Sequence, residues 1–232
     1  GSWDQPFAIP NYRVTGYNVP DMAPVSSWRS VGASANGFIH DCFLDELIHA
    51  AGGDPMAERI RLCNHVPSRR VLEEVAKLSN WNSPLPKGKG RGVGFCMSFG
   101  VPVAEVVEVS DTPAGIKIDK VWAVAEVGTV LDPVNIENQM QGGVVWGLGH
   151  AMNCELTYSN GQTDQSNFDS YPFMRMNQCP EIIVKALATT DQIRGIGEPT
   201  VPPAGAALAN AIFAATGKRI REMPLSRHIS FA

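Results

Sequence analysis

The sequence has few cysteines, and none of the five (Cys42, Cys63, Cys96, Cys154, Cys179) lies in a C-x-x-C pair. This chain therefore offers no cysteine set for an iron–sulfur cluster or a structural zinc. An odd count at scattered spacing also argues against a disulfide framework. Most of the five read as small buried hydrophobes. Basic residues do not predominate either: 19 Lys and Arg stand against 23 Asp and Glu, a net charge of -4. A nucleic-acid binder would show a basic stripe. The one compact basic run, Lys87 to Arg91, is short and glycine-rich and reads as a solvated loop. The sequence shows no transmembrane run, no signal peptide and no internal repeat. Gly88, Gly90, Gly92 and Gly94 do not make a G-x-G-x-x-G opening a helix. With no G-x-x-x-x-G-K-[ST] and no G-x-S-x-G, the Rossmann, P-loop and serine-hydrolase readings fail.

What remains is a chain of 232 residues, 44% hydrophobic and 18% charged, which is enough to build a core. Residues 1–33 carry Pro6, Pro10, Pro20 and Pro24, so they read as an extended arm lying over another chain or domain. A helix should follow, capped by Ser34 or Asn36. Its apolar stripe would be Phe38, Cys42, Phe43, Leu47, Ile48 and Ala51, and Gly52-Gly53 would end it. Asp41, Asp45 and His49 would form its solvated polar face. Glu46 and His49 have metal-site spacing but lack the second such pair that a carboxylate site needs. Asp54-Pro55 opens a second helix through about Leu62. Ser68 caps a third, carrying Val71, Leu72, Val75 and Leu78. The proline- and glycine-rich stretch around 84–90 is the best internal boundary, giving 1–33, 34–86 and 87–232 as the organisation.

Beyond it the period shortens towards two. Gly94–Phe99, Pro102–Ser110 and Ile116–Val127 read as strands, with a hairpin turn over Asp111–Gly115 and one strand face interrupted by Glu105. Pro133 opens a long helix to about Met152 whose glycines signal close backbone approach to a helix or a ligand. Glu155–Tyr158 and Glu181–Leu187 read as further strands. An apolar helix from Pro202 to about Ala215, ended by Gly217, should be buried.

Three segments carry candidate chemistry. Gly195-Ile196-Gly197-Glu198-Pro199 holds a carboxylate between glycines and prolines just before that buried helix. Taken alone, it reads first as a helix-entry loop with Glu198 favoured by the helix dipole, and second as a general base. Gln139, Gly142 and Gly143 read either as a glycine-packed helix or as a face that bonds a heterocycle or phosphate. Arg29, between Trp28 and Ser30, reads equally as a tie for the arm and as a clamp on a polar substrate.

The order of these segments is more informative than any one of them. Trp28-Arg29-Ser30-Val31-Gly32 precedes a helix. Asp132-Pro133 precedes the Gln- and Gly-rich helix, and Gly195 to Pro199 precedes the Ala-rich one. With Asn167 to Pro172, Arg175 to Gln178 and Ala207 to Gly217, this order resembles the xanthine dehydrogenase/aldehyde oxidase family of molybdenum hydroxylases. The likeness is greatest to the branch holding isoquinoline 1-oxidoreductase and membrane-bound aldehyde dehydrogenases, and it runs from about Trp28 to Leu225.

The resemblance implies an α+β fold: the C-terminal part of a molybdopterin-binding region, with helices on mixed or antiparallel sheets. It implies oxidative hydroxylation of an aldehyde or N-heterocycle with oxygen from water. Glu198 would be the base, Gln139, Gly142, Gly143 and Gly197 would lie on the cofactor, and Arg29 would lie near the substrate. The cofactor would be molybdopterin in its cytosine dinucleotide form, carrying molybdenum without protein ligands. The 2Fe-2S clusters would sit on an iron–sulfur subunit. No G-Q-G loop is present, and only the final part of a family large subunit is covered. A second chain carrying the rest is therefore expected, with this one a product of a split or cleaved large subunit. The alternatives are a non-catalytic structural or assembly subunit, and a small-molecule binding module of the same fold.

Overall fold

The computed structural model describes residues 1–20 and 25–232; Pro24, one of the four prolines of the expected arm, lies outside them. Helix α1 spans Gly32–Ala50, α2 Pro55–Leu62 and α3 Val66–Leu78. Strands β1 (Lys89–Ser98), β2 (Val101–Thr112) and β3 (Gly115–Glu126) follow, then α4 (Pro133–Asn153). The short strands β4 (Tyr158–Ser159) and β5 (Gln162–Thr163) make a separate hairpin. Strand β6 (Glu181–Leu187) returns to the main sheet, and α5 (Pro202–Thr216) closes the core. The main sheet runs β1-β2-β3-β6, antiparallel except where β6 lies parallel to β3. This is the α+β arrangement with a mixed sheet that the resemblance implied. Alternation along β2 feeds both faces: Val103, Val107 and Val109 enter one core with α4 and α5, while Ala104 and Val106 enter the other with α3. Helix α1 lies against β1 and α5 and contributes to both cores.

Strand β1 starts earlier than its sequence suggests. Lys89 and Arg91 are not in a solvated loop. They pair with Asp119 at 2.8 Å and Glu108 at 2.8 Å across the sheet. The glycines between them explain the strand. Gly90, Gly92 and Gly94 alternate on one face, and α5 rests on that face backbone to backbone. A Cβ on Gly92 would stand 2.1 Å from the Ala211 nitrogen. Gly92→Ala is thus expected to destabilise by the upper part of the range for overpacking, about 1–3 kcal/mol. A thermal melt checks this; an unchanged midpoint would show that α5 shifts freely on the sheet.

Four other expectations need correction. Helix α1 begins at Gly32, not after Ser34 or Asn36. The Ser34 hydroxyl donates back to the Arg29 carbonyl at 2.5 Å, and the Asn36 amide to the Gly32 carbonyl at 2.8 Å. The helix is also turned from its expected orientation. Phe43 and Leu47 are 60% and 50% exposed, whereas Asp41 and Asp45 are buried, because Arg59 of α2 reaches both carboxylates. Helix α3 starts at Val66 behind His65, whose Nδ1 engages Ser68 Oγ at 2.8 Å, so Ser68 is not its cap. Of the strand expected over Glu155–Tyr158, only Tyr158 pairs.

Glu105 is fully buried in β2 between Gly94 and Ala123, and among the described residues neither carboxylate oxygen has a partner. Burial pushes its carboxyl well above the ordinary range. Folding therefore holds a proton that the unfolded chain releases. The stability this gives is full below the unfolded value and is lost as pH rises towards the folded one. Glu105→Leu is expected to raise stability near neutral pH by about 1–3 kcal/mol and to flatten that dependence. Denaturant titrations across pH check it, and parallel pH curves for the two proteins would contradict it.

Candidate active site

The loop 195–201 lies against α4 because two glycines make room for it. A Cβ on Gly143 would stand 1.9 Å from Thr200 Oγ1, and one on Gly147 2.5 Å from the Val201 carbonyl. Thr200 Oγ1 donates to the Met140 carbonyl at 3.2 Å, and the Val201 amide to the Glu198 carbonyl at 2.9 Å. Glu198 is thereby fixed just before α5, half-buried, at the edge of the α4 face that carries Gln139 and Gly142.

The third element is the turn into α1. Ser30 and Val31 both have positive φ, 71° and 48°. For a β-branched residue such as Val31 this is strained, by about 1–3 kcal/mol. The turn is held by a buried bond of 2.8 Å between the hydroxyls of Ser30 and Ser98 and by the Ser34 bond to Arg29. The strained turn aims the Ser30 backbone N–H at Glu198 Oε1, 2.9 Å away.

Arg29 joins all three elements. Its Nε donates to the Gly197 carbonyl at 2.8 Å, its Nη1 to the Gly142 carbonyl at 3.3 Å and its Nη2 to Gln139 Oε1 at 3.4 Å. Burial pulls the guanidinium down from its ordinary value, and the nearby Glu198 carboxylate works against that. Arg29, Gln139, Gly142, Gly143, Gly197 and Glu198 therefore meet in one place. Gly143 faces Thr200, while a Cβ on Gly142 or Gly195 would meet nothing within 4 Å. The chain offers there a carboxylate, a carboxamide and open backbone. Ser30 and Thr200 were not singled out from the sequence. Ser30 acts through its backbone N–H, which leaves no residue-type signal, and Thr200 is seen only through the glycine it packs on.

Farther along α4, Trp146 and His150 line a cavity of about 150 Å³ with Trp28, Cys154, Phe168, Tyr171 and Phe173. Trp28 packs against His150 with ring centroids 4.4 Å apart and planes tilted by 41°, and Trp146 meets Phe173 at 5.6 Å. Among the described residues His150 Nδ1 has no partner, and burial lowers the imidazole pKa, favouring the neutral ring. Among the described residues no group of three or more His, Cys, Asp or Glu is placed to hold a metal ion. Glu46 pairs with Arg221 at 2.7 Å and His49 packs on Phe213. Among the described residues no helix is long and apolar enough to cross a membrane.

Comparison with known proteins adds to this geometry. Residues 42–180, more than half of the chain, match the family described as molybdopterin cofactor-binding domain. Gln139, Gly142 and Gly143 lie inside the match, and Arg29, Gly197 and Glu198 outside it. The chain is 27% identical over 225 residues to the beta chain of isoquinoline 1-oxidoreductase from Brevundimonas diminuta, covering 94% of this chain and 29% of that one. It is 30% identical over 224 residues to a membrane-bound aldehyde dehydrogenase of Gluconacetobacter polyoxogenes, covering 85% of this chain and 28% of that one. The chain thus spans under a third of the length of these relatives. Among solved structures, quinoline 2-oxidoreductase from Pseudomonas putida 86 superposes with a TM-score of 0.74 over 87% of this chain and 52% of its own. At 12% identity, that match shows a shared fold alone.

Proposed function

The chain belongs to the molybdopterin cofactor-binding domain family, and on that premise we propose that it supplies the catalytic edge of a molybdenum hydroxylase large subunit. The reaction is oxidative hydroxylation of an aldehyde or an N-heterocycle with oxygen from water. The observation that carries this reading is the Glu198 carboxylate, held by the Ser30 N–H at the rim of an open, glycine-bounded space.

The residues present fit a flat polar cofactor. Gln139 Oε1 takes the Arg29 guanidinium, which leaves the carboxamide N–H groups to donate to a heterocycle edge. The open faces of Gly142 and Gly195, and of Gly197 beside Gln139 at 4.0 Å, admit a ring system close to the backbone, and Gly143 keeps the loop near α4. Molybdopterin, here assigned its cytosine dinucleotide form, supplies the two-electron oxidation and the activated oxygen when bound. The 2Fe-2S clusters that carry electrons away belong to an iron–sulfur subunit.

Glu198 Oε1 is committed to the Ser30 amide, and among the described residues Oε2 makes no hydrogen bond. Oε2 is the atom that accepts the proton. Arg29 positions the carboxylate by holding the Gly197 carbonyl next to it, and its neighbour Trp28 begins the aromatic cavity on the substrate side. A planar ring suits that cavity. Trp146→Ala is expected to raise KM for an N-heterocycle by about 2- to 10-fold, the range of one stacking contact, with little change in kcat. Steady-state kinetics on quinoline and on a short aliphatic aldehyde check it, and equal losses on both would remove the ring assignment.

The reading is tested by turnover of the assembled enzyme in ¹⁸O-labelled water. Product carrying the label is expected. Unlabelled product, or label arriving only from ¹⁸O₂, would overturn it.

A further inference from the structure

Helix α1 presents an apolar face that nothing in the described residues covers. Ile39, Phe43 and Leu47 are 62%, 60% and 50% exposed. Their i, i+4, i+8 spacing places them on one side of the helix, within about 80° of its circumference. Single exposed apolar residues are ordinary, but three large ones in a row on one helix mark a contact surface. Glu46, on the flank of this face, is already paired with Arg221. The opposite side of the helix is fully engaged, with Phe38, Asp41, Cys42, Leu44, Asp45 and Ile48 buried.

The length of the relatives indicates what covers this face. Residues 1–232 span 29% and 28% of two curated relatives and 52% of the solved neighbour, so much of such a protein lies outside them. Helix α1 also starts at the Ser30–Val31 turn, where the Ser30 amide holds Glu198. A body seated along α1 therefore adjoins the site at the helix's N-terminal end. We infer that the Ile39–Phe43–Leu47 face is the seat of the remaining part of the large subunit, whether that part is on the same polypeptide or a second one. This inference rests on the function proposed above. It also assigns the contact a role, because fixing α1 fixes the turn that orients the base.

The test uses the assembled enzyme. Cys179 is the exposed cysteine and the other four are buried, so Phe43→Cys is placed in a Cys179→Ser background. Maleimide labelling at position 43 is expected to run at least about 100-fold slower in the assembled enzyme than in the same protein unfolded in urea. Labelling within about tenfold of the unfolded rate overturns the inference. So does a bis-maleimide cross-link joining position 43 of two copies of this chain, which would make the face a self-association surface. If the variant does not assemble, hydroxyl-radical footprinting of the wild-type enzyme gives the same reading. Protection of Phe43 and Leu47 supports the inference, and oxidation at the rate of unfolded chain overturns it. Labelling does not depend on turnover, so a failed Glu198 assignment leaves this result unchanged.

Discussion

Glu198→Gln is expected to lower kcat of the assembled enzyme by about 10²- to 10⁴-fold, the contribution of a positioned general base. That corresponds to roughly 3–5 kcal/mol of transition-state stabilisation. The substitution keeps the size of the side chain and an oxygen at the position of Oε1, so the Ser30 amide retains its acceptor. It removes only the capacity of the second position to take a proton. Molybdenum and pterin content, thermal midpoint and KM should therefore change little while kcat collapses. Loss of cofactor together with activity would instead make Glu198 a structural member of the cradle. Arg29→Met makes a useful contrast. It releases the Gly197 carbonyl, the Gly142 carbonyl and Gln139 at once, so it should disturb cofactor retention as well as rate.

The second large effect lies at the junction of α1 and α2. Arg59 is fully buried, with Nη2 2.9 Å from Asp41 Oδ2, Nη1 3.2 Å from Asp45 Oδ1 and a further bond of 3.0 Å to the Pro55 carbonyl. Arg219 reaches the other oxygen of Asp45 at 2.7 Å. Arg59→Met leaves Asp41 buried without its counter-ion, and is expected to cost about 3–5 kcal/mol. Adding Asp41→Leu should recover most of that loss, since a buried ion pair exchanged for well-packed apolar groups is often close to neutral. Denaturant melts of the single and double variants measure both. A single variant as stable as wild type would mean that water reaches Asp41. The network matters for function because it locks α1 to α2, and α1 carries the turn that aims the Ser30 amide.

The parts of this architecture legible in the sequence were those fixed by local chemistry. Asp54 caps α2 from the position its Asp-Pro pair implies, accepting from the amides of Met56 and Ala57. Pro133 and Gly217 mark the ends of α4 and α5 as proline at the start and glycine at the end should. The apolar composition of α5 matched its burial. What was not legible depended on partners distant in the chain. Periodicity alone made Asp41 and Asp45 look solvated, because only Arg59 in the next helix, completed by Arg219 near the C-terminus, allows them inside. The run from Lys87 to Arg91 looked like a loop because the function of the glycines at 90, 92 and 94 is to admit α5, which lies more than a hundred residues later. The candidate site divides in the same way. Glu198, Gln139 and Arg29 were visible as side chains in an ordered set of segments. Ser30 contributes a backbone N–H, through a strained turn that no residue type announces.

The most direct test of Glu198 as the base is turnover per molybdenum in the purified, assembled enzyme, with wild type beside Glu198→Gln and with metal and pterin quantified in both. Equal molybdenum and pterin are expected in the two proteins, with a loss of turnover per metal of at least about 100-fold in the variant. Equal turnover per molybdenum, or a wild-type enzyme that holds neither molybdenum nor pterin after cofactor-replete expression, would contradict the assignment.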